Sequence, residues 1–204
     1  MVSPPPLFGL VLAGGASSRM QRDKAMLDYH GLPQLDWAFQ MLLRHCERAF
    51  VSVRAQHAGE PTRARFPQVV DAWTDLGPIA GIASAQAAHP DVAWLVLACD
   101  LPFVGDATLR HLVSRRNPAI AVTAYRSASD GLPEPLCAIY EPASRAAVLE
   151  YIAEGGRCPR RFLAGLRVPL IEQRDPAWLD NVNTPEEFAI ATLRLGGADE
   201  VEPA

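Results

Sequence analysis

A chain of 204 residues, 49% apolar and 21% charged, lies just above the usual one-domain length and has the makeup of a soluble globular protein, not a disordered or fibrous one. A net charge of −4 offers no broad basic field to a nucleic-acid backbone. No apolar run is long enough to span a bilayer and the start Met-Val-Ser-Pro-Pro-Pro lacks the pattern of an export signal, so one cytoplasmic domain over residues 1–204 is expected, without nucleic acid or membrane as partner.

Residues 1–6 read as a frayed lead-in. Residues 7–12 form an apolar strand that opens into Ala13-Gly14-Gly15-Ala16-Ser17-Ser18, a loop. From Gln34 onward, Leu35, Ala38, Phe39, Leu42 and Cys46 follow one helical face, and residues 49–53 return as a short strand. Val69-Val70 precedes a second loop, Gly77-Pro78 opens an Ala-rich helix over residues 78–88, and residues 93–98 are a continuous apolar strand of the kind buried on both faces. A helix carrying Leu109, Leu112 and Val113 follows, then strands near 119–125 and 136–140, then a helix entered at Pro142 and carrying Ala146, Leu149 and Ile152. Thr184-Pro185-Glu186-Glu187 has the capping-box pattern of a last helix running to about Leu195, with a disordered tail over 197–204. Alternating strands and helices predict an α/β, three-layer fold around a mainly parallel sheet.

Ligands of such sheets bind beyond the carboxyl ends of the strands, which directs attention to three segments. In the first, Leu12-Ala13-Gly14-Gly15 brings free backbone N–H groups close to a phosphate, and Arg19 and Lys24 supply positive charge. No Gly-Lys-Ser/Thr closes the loop and no Gly-x-Gly-x-x-Gly occurs, so neither a Walker loop nor a dinucleotide fingerprint is present; a plain glycine turn with two surface cations is the bland alternative. In the second, Asp100 ends the buried strand and precedes Leu101-Pro102, a placement suited to Mg2+ shared with phosphates. Capping the next helix is a poorer role for it, since Asp106 and Thr108 lie closer to that helix.

The third segment, from Asp71 to Gly81, suits either a planar base or an anion at a helix N-terminus, or a tight connection. Asn181 and Asn183 are likewise either turn formers or polar ligands of a substrate or an ion. The five histidines show no metal-ligand spacing, no Gly-x-Ser-x-Gly elbow occurs, and Cys46, Cys99, Cys137 and Cys158 form no Cys-x-x-Cys pair. Cys99 is read as a core thiol.

Five collinear pieces resemble the molybdenum cofactor guanylyltransferases of the nucleotidyltransferase superfamily: Leu12-Ala13-Gly14-Gly15 with Arg19-Met20 and Asp23-Lys24, Gly77-Pro78-Ile79-Ala80-Gly81, Cys99-Asp100-Leu101-Pro102, Glu134-Pro135-Leu136, and the run from Asn181 to Glu187. The resemblance implies a Rossmann-like fold with one antiparallel strand, GTP as donor, molybdenum cofactor as acceptor, and Mg2+ held by Asp100. It also implies nucleotide contacts around Leu12, Ala13, Gly14 and Gly15 and at Lys24, Asp71 and Asp100; with Gly77 and Pro78 added to the nucleotide side, Asn181 and Asn183 are expected to meet the acceptor, and the charges of Lys24, Arg19 and Asp100 to carry the catalysis. Gly14 and the Gly-Pro-Ile-Ala-Gly piece favour guanine over the similar CTP-using enzymes. Two departures stand out: Gln21-Arg22 where the family has Gly after Arg-Met, and Ser52 where an Asn is usual, so Ser52 receives no base-binding role.

The chemistry so implied is attack by the acceptor's terminal phosphate on the α-phosphorus of GTP, with a monomeric enzyme making transient contacts with proteins that deliver or receive the cofactor. A CTP-dependent transferase, a same-fold enzyme with another phosphorylated acceptor, and a nucleotide-sensing module are the rival readings. A glycosyl-transferring enzyme would need an Asp-x-Asp motif, which the chain lacks.

Overall fold

The computed structural model describes residues 3–13 and 23–196. A seven-stranded sheet organises the fold in the order β3-β2-β1-β4-β6-β5-β7. The strands are β1 (Leu7–Leu12), β2 (Arg48–Val53), β3 (Gln68–Val70), β4 (Ala93–Ala98), β5 (Val122–Arg126), β6 (Pro133–Tyr140) and β7 (Leu170–Ile171). β6 runs antiparallel to both neighbours, β4 and β5, and every other pairing is parallel, as the resemblance implies. The helices are α1 (Gln34–Leu43), α2 (Pro61–Ala64), α3 (Pro78–Ala88), α4 (Asp106–Ser114), α5 (Arg145–Ala153), α6 (Pro159–Leu166) and α7 (Pro185–Gly196).

Alternation along β1 shows how the layers form. Gly9 faces α1, where a Cβ would lie 2.8 Å from Leu42 Cβ, so only glycine admits the helix this closely. Leu12, three residues on, faces the opposite side and meets α3 at Gly81. α4 packs beside α1 and α5 beside α3, which completes two helical layers. β4 lies between β1 and β6 with all six residues buried, and Trp94, Leu95 and Val96 have no exposed surface. At about 1.5–3 kcal/mol for each large apolar side chain fully buried, this strand anchors the core. Among the described residues, no helix is long and apolar enough to cross a membrane.

Several expectations shift at their edges. The lead-in is tied down at its end, with Pro6 O accepting from Ala93 N at 2.9 Å and Pro5 O from Arg116 Nη2 at 2.8 Å. α1 stops at Leu43, leaving Cys46 in the loop beyond it. The strand expected from 119 begins at Val122, because Asn117 accepts from Ala119 N and from Ile120 N in a turn first. β6 starts at Pro133, three residues before Leu136, as its pairing with Tyr125 and Arg126 extends it. Past Pro142 a 3-10 turn precedes α5, whose buried residue is Val148; Ala146 is exposed and Leu149 half-buried. Neither Asp106 nor Thr108 occupies the N-cap of α4, a place taken by Gly105. α7 begins as expected: Glu187 N donates to Thr184 Oγ1 at 3.2 Å, and Glu187 Oε2 accepts from Thr184 N.

Candidate active site

The carboxyl ends of β1 and β4 lie side by side, with Leu12 paired to Ala98, so the chain leaves both strands at one edge of the sheet. There Lys24 Nζ donates to Asn183 Oδ1 at 2.7 Å and lies 3.4 Å from Asp100 Oδ2. Both members of the ion pair are partly open to solvent, with 20% and 25% of their side chains exposed, so they remain available to a ligand. Three segments 76 and 159 positions apart in sequence thus meet at one ammonium group.

Each member is held by its own surroundings. Asp23 caps the 3-10 turn Lys24–Met26, its Oδ1 accepting from Ala25 N at 3.1 Å, which orients Lys24. The Asp100 carbonyl accepts from Val182 N at 2.9 Å, joining the β4 loop to the segment before α7. A small second core of Leu27, Tyr29, Val182 and Ala191, flanked by Phe103 and Phe188, packs α7 against the segment that follows Lys24. Its Tyr29 phenol is kept un-ionised, first by burial and then by the carboxylates of Asp100 and Glu187. Downstream of Asp100, His30 Nε2 pairs with Pro102 O at 2.9 Å while its ring stacks on Trp37 at 3.9 Å. Burial, reinforced by Asp100, drives the Cys99 thiol far above its ordinary range, in keeping with its place in the core.

Asp71 and the start of α3 occupy a different part of the edge. Asp71 follows β3, three strand spacings or about 14 Å from β4. Its N–H donates to Val53 O at 2.8 Å, Ser52 Oγ donates to its Oδ1 at 2.7 Å, and Ala72 N donates to Ser84 Oγ at 2.8 Å. Burial raises the Asp71 pKa, while the Ser52 hydrogen bond and the Arg54 charge pull it back. Gly81 is what leaves room for this arrangement, since a Cβ there would sit 2.4 Å from Ser52 Oγ. Gly77 precedes α3 with φ 66°, a backbone that favours glycine, and Pro78 occupies the first turn. The N-terminus of α3 thus stands at the edge, where Pro78 has no N–H to leave unpaired and Ala80 N donates to Gly77 O at 3.1 Å.

On the far side of Asp100 a cleft of about 590 Å³ opens between β6, α6 and α7. Asp100, Glu134, Arg160, Gln173, Asn181 and Arg194 contribute polar groups to it, and Phe103, Leu136 and Leu179 apolar ones. Arg160 is fixed by Asp130 at 2.9 Å and Glu134 at 2.8 Å. Because β6 is reversed, its beginning reaches this edge and carries Glu134 and Pro135 into the cleft.

Lys24, Asp100 and Asn183 are therefore in contact, and Asn181 shares the cleft with Asp100. Asp71, Gly77 and Pro78 form a separate group, while Leu12 ends β1 between the two and Ala13 follows it. Gly14, Gly15 and Arg19 lie outside the described residues. Arg63 and Arg160 carry no sequence signal, because their significance rests on distant partners; Asp71, Ser52 and Glu134 are each marked in the sequence, but the bonds Ser52–Asp71 and Arg160–Glu134 are not legible there. Among the described residues no group of three or more His, Cys, Asp or Glu could hold a metal by itself. A lone carboxylate such as Asp100 suits an ion that takes its remaining ligands from phosphates and water, as Mg2+ commonly does.

Residues 9–174 match the family model described as MobA-like NTP transferase domain. This chain belongs to that family. It is 32% identical to the molybdenum cofactor guanylyltransferase of Xanthomonas euvesicatoria, across 90% of this chain and 93% of that protein. It is 30% identical to a probable molybdenum cofactor guanylyltransferase of a Nostoc species, across 97% and 94%. A molybdenum cofactor biosynthesis bifunctional protein of a Synechocystis species is 35% identical across 92% of this chain, which spans only 54% of that longer protein. Among solved structures, molybdopterin-guanine dinucleotide biosynthesis protein A from Archaeoglobus fulgidus superposes with a TM-score of 0.78 at 23% identity, covering 93% of this chain and 99% of that one, a likeness of fold. As a member of the MobA-like NTP transferase family, the chain is a nucleotidyltransferase.

Proposed function

We propose that this transferase moves GMP from GTP to the terminal phosphate of the molybdenum cofactor and releases pyrophosphate. The observation that carries this reading is the linear layout of the sheet edge: Asp71 and α3 on one side, Lys24 with Asp100 in the middle, and the 590 Å³ cleft beyond. Base, triphosphate and acceptor would occupy these in turn. The names borne by relatives at 30–32% identity support the same donor and acceptor.

The acceptor's phosphate monoester has a second pKa of about 6 and is already largely ionised near neutrality, so the attack needs no general base from the protein. Catalysis then rests on alignment and charge. Lys24, released from Asn183 and Asp100 toward the phosphates, would offset charge on the transferring and leaving groups. Arg19 and the Gly14-Gly15 amides would hold the triphosphate next to Leu12 and Ala13. Asp100 would hold Mg2+, which when bound neutralises phosphate charge. Asn181 and Asn183 would orient the acceptor, with Asn183 trading its bond to Lys24 for one to the substrate. We also assign the work to the cytoplasm, to a monomer, and to transient contact with cofactor-carrying proteins.

Asp71 is suited to reading guanine, whose ring N1–H and 2-amino group both donate, whereas adenine and cytosine present a ring acceptor at the equivalent place. Only the carboxylate anion accepts both donors. Since burial raises the Asp71 pKa, kcat/KM for GTP should fall on the acid side at a pH above the ordinary carboxylate range. Ser52→Ala removes a hydrogen bond that favours the anion, so the acid limb should move to still higher pH. A pH profile of both proteins checks this, and coincident limbs would remove Asp71 from base recognition.

The reaction is tested by pyrophosphate release from Mg-GTP and from Mg-CTP, each with and without molybdenum cofactor. Release requiring GTP and the cofactor together is expected. Release from CTP would reassign the donor, and tight GTP binding with no release would favour a sensor.

A further inference from the structure

We infer that Arg63 is a positioning residue for Lys24, acting through Asp23. Arg63 lies in the short helix α2, which starts with Pro61 after Glu60, and only 8% of it is exposed. Its guanidinium is held on three sides. Nη2 donates to Asp23 Oδ2 at 2.7 Å and to Ala13 O at 3.2 Å, and Nη1 donates to Glu60 Oε2 at 2.6 Å. Glu60 is in turn paired with His57 Nδ1, which together with Arg63 keeps its carboxyl ionised below the usual range.

A single buried cation thereby ties the end of β1, at Ala13, to Asp23, the N-cap of the turn that carries Lys24. Asp23 splits its carboxylate between two tasks, Oδ2 toward Arg63 and Oδ1 toward Ala25 N at 3.1 Å. The turn's direction is therefore set by Arg63, and with it the path by which Nζ reaches Asn183 and Asp100. The planar fork of an arginine meets these diverging acceptors at once, which the single point charge of a lysine does not. Arg63 touches none of Asp71, Asp100 or Asn183 through the bonds described above; its influence passes by way of Asp23.

The inference rests on the proposed role of Lys24, so its test includes a readout independent of turnover. Acetylation of Lys24 by an amine-reactive reagent, followed by peptide mass spectrometry, reports how firmly the ammonium is held. Arg63→Ala should raise the Lys24 labelling rate several-fold and lower kcat roughly tenfold to a hundredfold, with a smaller change in KM for GTP. Arg63→Lys should recover part of both. Because removing a buried guanidinium can unfold the chain, Asp23→Asn, at a carboxylate 38% exposed, provides the second variant and should shift labelling and kcat the same way. In combination with Lys24→Ala, either substitution should lower kcat no further, since it would have no ammonium left to aim. Unchanged labelling in a folded Arg63→Ala or Asp23→Asn protein, or losses that add to those of Lys24→Ala, would overturn the inference. If wild-type protein shows no transfer, the functional reading fails while the labelling arm still decides the role of Arg63.

Discussion

Asparagine in place of Asp100 should cut kcat by about a hundredfold to a thousandfold, the scale seen when one preorganised charge-stabilising group is lost from an active site. The substitution keeps the side chain's size and removes its charge, so it separates metal and phosphate chemistry from packing. Melting should barely change. The Lys24–Asp100 pair is 3.4 Å long and partly exposed, which limits its contribution to below about 1 kcal/mol. The Asp100 main chain stays bonded to Val182 N in either case. Parallel measurement of pyrophosphate release and thermal unfolding checks both halves of the expectation, and wild-type turnover in the variant would remove Asp100 from the chemistry.

The largest effect on stability should come from Glu141→Ala. Glu141 is 1% exposed and receives Arg116 through two bonds, Nε at 2.6 Å and Nη2 at 3.0 Å. Truncation leaves a guanidinium only 12% exposed without its counter-charge, a loss of about 3–5 kcal/mol and, for a domain this size, about 10 °C in Tm. The same guanidinium holds Pro5 O, so the lead-in before β1 should loosen as well. Replacing both partners together, Arg116→Met with Glu141→Leu, should restore much of the loss, because no unpaired charge is then buried. A Tm within about 2 °C of wild type for Glu141→Ala would show that the pair is not the anchor described.

What could be read from the sequence depended on whether its cause was local. β4 and α3 were legible to the residue: one is an unbroken apolar run, and the other is marked by Gly77-Pro78 and a stretch of alanines. The box at Thr184 and Glu187 spans four residues and was equally plain. α6 went unread although Pro159 stands in its first turn: the helix has only eight residues, too few to repeat its apolar face, and tertiary contact buries Phe162 and Leu163. At the candidate site, residue types and motif order pointed to Lys24 and Asp100, and the bond from Lys24 to Asn183 joins two of the marked segments. Arg63 carries no motif. Its partner Asp23 is 40 positions away, and nothing in a single chain's pattern announces that distance.

The reversed strand β6 has a consequence for how this fold accommodates change. Six strands present their carboxyl ends at the ligand edge, but β6 presents its beginning, and beyond it the edge is walled by side chains of α6 and α7. Under the proposed function, nucleotide handling falls to the carboxyl ends of β1, β2, β3 and β4, the usual ligand side of parallel strands. The two territories share a border at Asp100. On the same reading, substitutions at Arg160, Ile190 or Arg194, which line the cleft, should alter what the enzyme accepts more than how it holds its donor. If donor and acceptor divide in this way, the donor half is the conservative one, and engineering of new acceptors belongs on the β6 side.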